Sequence, residues 1–164
     1  MKVAVLTVSD RAARGERNDL SGPAVADRLR KAGWKLDRTG IVSDDQPAIE
    51  AELKEWSNEG IDLILTTGGT GFAPRDRAPE ATLAVCERLA PGLPEAMRRA
   101  GAEKTPHSLL SRAVAGIRGR TLIVNLPGSP QAAVESLEAV LPALEHAVRL
   151  LREDPAAEAG HRVG

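Results

Sequence analysis

The sequence predicts an α/β fold: three layers, α/β/α, around a mostly parallel sheet with a small antiparallel edge hairpin. Three observations carry this. Apolar, β-branched runs of strand length, such as Val3–Val8 and "IDLILTT", look like strands buried on both faces. They alternate with segments of helical apolar spacing, and that order calls for a parallel sheet covered on both sides. Late in the chain, two strand-like runs flank Arg118-Gly119 closely enough to form a tight hairpin, which is antiparallel.

Each element follows in order. After Val8 the polar stretch "SDRAARGERNDLSG" reads as loop. Ser21-Gly22-Pro23 then opens a helix, with Ser21 as N-cap and Pro23 in the first turn, where its missing N–H costs nothing. Ala24, Val25, Leu29 and Ala32 supply its apolar stripe, and Gly33 ends it. Residues 34–42 form a weaker strand. The next helix has Pro47 early, Ile49, Leu53 and Trp56 on one face, and Gly60 as its stop. "IDLILTT" is the clearest strand. Beyond a glycine loop, "PEATLAVCERLA" and "PGLPEAMRRAG" read as two helices punctuated by prolines. The hairpin strands span about 112–117 and 121–126. Ser129-Pro130 caps a final helix to about Glu153, bent near Pro142. The expectation is a single domain over 1–153 with a flexible tail over 154–164.

Composition narrows the class. The chain has 164 residues, 42% apolar and 27% charged, an ordinary globular balance. A net charge of −1 gives no basic surplus for nucleic acid. No apolar stretch approaches the roughly 20 residues of a membrane span. The one cysteine, Cys86, forms no internal disulfide, and the N-terminal run is too short for a signal peptide, so a cytoplasmic protein is expected. His107, His146 and His161 are scattered without metal-ligand spacing.

In an open parallel sheet, ligands bind beyond the carboxyl ends of strands. The loops after Val8, Val42, Thr66 and Asn125 meet there. "TTGGTGFAPRDRAPEAT" places Gly68, Gly69 and Gly71 at that edge, with Thr67 and Thr70 as hydroxyl donors. Glycines let backbone N–H groups approach an anion, so the loop is either an anion nest or a ligand-free tight turn. It is neither a P-loop nor the dinucleotide fingerprint. Arg75 can grip a phosphate, whereas Asp76 would repel one unless a cation intervenes, and one or two carboxylates with phosphate oxygens is a magnesium donor set. Asp44-Asp45 ends the neighbouring strand; one of the two caps the helix and the other is available to the crevice. "NLPGSP", residues 125–130, and "LSGPAV" open helices whose N-termini can also hold phosphate.

Taken together, "VLTVSDR", "SGPAV", "LILTTGGTGFAPRDRAPEAT", "LLSRAVAGIRG" and "LIVNLPGSPQA" resemble the molybdopterin-binding (MoCF) domain over about 1–152, and within it the molybdopterin adenylyltransferase family. Arg77-Ala78 departs from the Val-Thr that often follows the family's Arg-Asp step. The resemblance implies an α/β fold and a homotrimer, with a hexamer as the other option. It also implies transfer of AMP from Mg-ATP to molybdopterin with release of pyrophosphate. That step prepares molybdopterin for molybdate and implies transient contact with the molybdate-inserting enzyme. Carried over by motif, Asp44 and Asp76 are the catalytic, magnesium-holding aspartates. Ser9, Asp10, Ser21 and Gly22 form the first ligand loop. Gly68, Gly69, Thr70 and Gly71 form the pterin/nucleotide loop, beside which Thr67 and Arg75 are read as further binding residues, and Asn125, Pro127, Gly128 and Ser129 form the second ligand loop. The MoaB branch shares these motifs, so a non-catalytic pterin-binding or scaffold protein of the same pathway is the alternative.

Overall fold

The structure is a computed structural model that describes residues 1–159. Six strands form one sheet in the order β2-β1-β3-β6-β5-β4. They are β1 (Val3–Val8), β2 (Leu36–Val42), β3 (Leu63–Thr67), β4 (Arg88–Leu89), β5 (Ala115–Arg118) and β6 (Thr121–Leu126). The first three and β6 run parallel; β5 pairs antiparallel with β6 on one side and with β4 on the other. The expected hairpin is the β5–β6 pair, in which Arg118 faces Thr121 and Gly119 takes φ +56°.

Among the described residues there are seven α-helices, α1 (Asp10–Ala13), α2 (Ser21–Lys31), α3 (Gln46–Asn58), α4 (Ala78–Val85), α5 (Gly92–Ala102), α6 (Pro130–Leu151) and α7 (Pro155–Ala159), and one 3-10 helix, Pro106–Leu110. Strand side chains alternate between two cores, as the pleat requires. Val3, Val5, Leu63, Leu65, Leu122 and Val124 pack with α2, α5 and α6. Ala4, Leu6, Ile64 and Ile123 pack on the other face with Ile49, Leu53 and Trp56 of α3 and with α4. The chain therefore changes face between α2 and α3, and β1 and β3 lie side by side at the switch point. The loops leaving these two strands open a crevice at their carboxyl ends.

Several expectations change. Ser9 Oγ accepts the Ala12 amide (3.2 Å) and turns the start of the expected loop into the one-turn α1. The N-cap of α2 is Leu20, not Ser21; the amide of Gly22 is taken by Asp19 Oδ1 at 3.0 Å. The stripe of α2 that is buried is Val25, Ala26 and Leu29, while Ala32 is exposed. "PEATLAVCERLA" is helical only to Val85, because Glu87 N–H and Ala90 N–H bond to Ile117 and Ala115 carbonyls and make Arg88-Leu89 an edge strand. Tertiary pairing overrides a helical pattern too short to resist it. Helix α6 runs uninterrupted through Pro142. Part of the expected tail is helical, with Ala157 buried, and residues 160–164, with His161, lie outside the described residues. No described helix is long and apolar enough to cross a membrane.

Candidate active site

The acidic pair after β2 divides its labour. Asp45 is the N-cap of α3, its Oδ2 accepting the Ala48 amide at 3.2 Å. Asp44 turns the other way. Its Oδ2 accepts the Asp10 amide (2.9 Å), and its own amide donates to Asp10 Oδ1 (2.9 Å). This reciprocal pair ties the loop after β1 to the loop after β2. Burial pushes the Asp44 carboxyl above its ordinary value, and the nearby Asp10 and Asp76 carboxylates push the same way, against the Asp10 amide and Arg75. A half-buried carboxylate beside like charges is a site that gains from a cation.

The glycine loop after β3 separates two causes. Gly68 takes φ +100°, and a Cβ there would fall on the Val8 carbonyl oxygen, so glycine is required by packing. Gly69 and Gly71 sit beside the acids: a Cβ would stand 3.3 Å from Asp44 Oδ1 in the first case and 2.8 Å from Asp76 Oδ2 in the second. Asp76 folds back over the loop, Oδ2 accepting the Ala73 amide at 3.0 Å. The two carboxylates thus flank one short stretch of bare main chain.

That stretch is polarised. The carbonyls of Gly69, Thr70 and Gly71 accept from Ala78 N (3.1 Å), Arg112 N (2.9 Å) and Arg112 Nε (2.7 Å). Among the described residues, nothing accepts from the amides of Gly69, Thr70 or Gly71. Arg112 also donates to the Asp76 carbonyl (2.7 Å) and pairs with Glu80. Neither Arg112 nor Asp19 was singled out from the sequence. Asp19, three residues before Gly22, carries a cap-like spacing that could have been noticed; Arg112 carries no local signal.

Two expected ligand residues have their side chains engaged within the protein. Asn125 is fully buried; its amide nitrogen donates to Thr66 and Thr82 hydroxyls (2.9 Å each) and its oxygen accepts the Val114 amide. Thr67 is fully buried and donates to the Pro127 carbonyl at 2.7 Å. Both have their polar atoms committed within the protein, so they hold the floor of the crevice. Gly22 is buried too, its amide taken by Asp19 and its Cα packed against the Thr7–Asp19 hydrogen bond. Ser129 Oγ accepts the Ala132 amide and so caps α6.

Two cavities meet here. A polar one is lined by Thr7, Ser9, Ser21, Asp44, Arg75 and Ser129, with Arg17 on its rim. A second, of about 480 Å³, runs between α5 and α6 past Met97, Gly101, Leu110 and Ala113. Both are walled by Gly69, Asp76 and Gly128. Asp10 lies with Asp44, Asp45 and Arg75 in an adjoining open groove. Thr70 and Pro127 line the larger cavity. The two cavities join at a wall that carries free amides and two carboxylates.

Among the described residues no group of three or more His, Cys, Asp or Glu could cage a metal alone. Burial, with the Glu87 carboxylate, pushes the Cys86 thiol up to about 11, away from the thiolate form.

Comparison with known proteins agrees. Residues 4–146 match the family described as a probable molybdopterin binding domain. A molybdopterin adenylyltransferase of Helicobacter pylori is 44% identical over 154 residues, covering 91% of this chain and 86% of that protein. One from Escherichia coli is 42% identical over 144 residues, covering 85% and 73%. The crystal structure of the molybdopterin biosynthesis enzyme MoaB from Thermus thermophilus superposes with a TM-score of 0.88 at 53% identity, covering 94% of this chain and 98% of that one. The chain belongs to this molybdopterin-binding, molybdenum cofactor biosynthesis family.

Proposed function

We propose that this chain is a molybdopterin adenylyltransferase, joining Mg-ATP and molybdopterin into adenylyl-molybdopterin with release of pyrophosphate. The observation that carries this is the shared wall: two cavities converge on Gly69, Asp76 and Gly128, with Asp44 alongside. One substrate enters each cavity, and their phosphates meet at that wall. A phosphate oxygen of molybdopterin attacks the α-phosphorus of ATP as the bond to pyrophosphate breaks. The attacking group is already an anion, so no strong general base is needed. The work is positioning two polyanions and offsetting their repulsion.

The amides of Gly69, Thr70 and Gly71 are the anion donors of this step. Arg75, exposed at the rim, adds a guanidinium. Asp44 and Asp76 fit magnesium: two carboxylates with open coordination left for phosphate oxygens, and strain among like charges that a cation relieves. Magnesium held by Asp44 and Asp76 would supply charge neutralisation between the two anions. Ser9, Asp10 and Ser21 orient the mouth of the polar cavity.

The relatives named for the transferase activity favour catalysis over the MoaB-like binding role. With the resemblance, we also infer one domain over residues 1–153, a cytoplasmic homotrimer and transient contact with a molybdate-inserting enzyme. The exposed Leu20, Ile41, Phe72, Leu89 and Leu109 offer apolar surface for such an assembly. Incubation of the purified protein with Mg-ATP and molybdopterin tests the reaction. Pyrophosphate should accumulate only when both substrates and magnesium are present, and its absence would sink the proposal.

A further inference from the structure

We infer that Arg112 is a positioning residue that sets the polarity of the anion-binding loop, an inference that rests on the adenylyl-transfer reading of the site. A trans peptide points its carbonyl and the following amide in opposite directions. Whatever holds the carbonyls of 69–71 therefore aims the amides of 70–72 the other way. Ala78 N–H holds the first of those carbonyls; Arg112 holds the other two, through its own N–H and its Nε. The Arg112 backbone N–H holds the Thr70 carbonyl whatever the side chain, whereas the guanidinium holds the Gly71 and Asp76 carbonyls, so the side chain fixes the Gly71–Phe72 end of the nest and the residue that carries the carboxylate. Glu80 holds the guanidinium in turn: burial raises its carboxyl, but the Arg112 hydrogen bond and charge outweigh this and leave it below the ordinary value.

Arg112 comes from the segment before β5, 41 residues after Gly71. It lines neither cavity, so it acts through the loop and touches no substrate. The geometry needs a planar fork. A lysine keeps the charge but cannot reach the Gly71 carbonyl, the Asp76 carbonyl and Glu80 along three fixed directions.

The test uses Arg112→Lys in the full-length protein, with two readouts. Amide hydrogen exchange in the free protein should speed up about 10-fold at the hydrogen-bonded loop amides of Ala73, Asp76 and Ala78 and stay unchanged in β1, β3 and β6. Mg-ATP binding, followed by calorimetry, should weaken about 10-fold while the melting temperature falls by only a few degrees. Guanidinium ion should recover part of the binding in Arg112→Ala and none in Asp76→Asn. Unchanged loop exchange overturns the inference, as does faster exchange with unchanged binding. Weakening that merely tracks the fraction unfolded overturns it too. Failure of the wild-type protein to bind Mg-ATP would instead sink adenylyl transfer, and loop exchange would still decide the role of Arg112.

Discussion

Two turns at the same sheet edge face opposite electrostatic fates. The start of α2 looks from sequence like an anion site: Ser, Gly and Pro at a helix N-terminus. In the structure Asp19 occupies it, taking the Gly22 amide with one oxygen and the Thr7 hydroxyl with the other. The turn after β3 has its carbonyls taken and its amides left over. Both are glycine-containing, and both follow parallel strands through the switch point. The difference is which end of the peptide dipole the protein satisfies internally. A turn whose donors are met is architecture; a turn whose acceptors are met is a binding surface.

That contrast can be broken in graded ways. Asp76→Asn should leave the fold intact and cut turnover about 1000-fold, since it removes charge from the wall shared by both cavities. Pyrophosphate release and circular dichroism check this, and near-wild-type turnover would refute it. Gly68→Ala should lose about 3 kcal/mol in denaturant unfolding, because φ +100° and the Val8 carbonyl both exclude a methyl group. Asp19→Ala should cost about 2 kcal/mol by freeing a helix-start amide and the Thr7 hydroxyl. That variant also sharpens the comparison: with Asp19 gone, α2 should gain weak affinity for inorganic phosphate.

The smallest effect concerns Asp44. Its carboxyl is raised in the folded state, so the native protein binds a proton more tightly than the unfolded chain. Stability therefore falls as pH rises from the ordinary carboxylate value through the raised one, and stays lower above it. Asp44→Asn removes this penalty and keeps an oxygen for the Asp10 amide. Melting at neutral pH without magnesium should rise by roughly 2 °C, an advantage that vanishes at acid pH. A lower melting temperature at neutral pH would contradict the assignment of Asp44 as a strained carboxylate.

The amino-acid order alone was sufficient for β1, β3 and β6, because unbroken apolar runs have few other ways to be buried. It was sufficient for α3 and α6, whose apolar faces and cap positions, one of Asp44-Asp45 for the first and Ser129 for the second, lie within one local window. It also brought the loops after β1, β2, β3 and β6 to one edge, since parallel strands must end together. Only the tertiary structure decided between Asp44 and Asp45. Neighbours in sequence differ in role because of a partner 34 residues away, Asp10. The same holds for Arg88-Leu89 as an edge strand, for Asn125 as a buried strut, and for Arg112 as the clamp on the glycine loop. Caps, stripes and turns are written in a few consecutive residues. The direction of a main-chain dipole at the crevice depends on which distant side chain reaches it first, and the folded chain alone settles that.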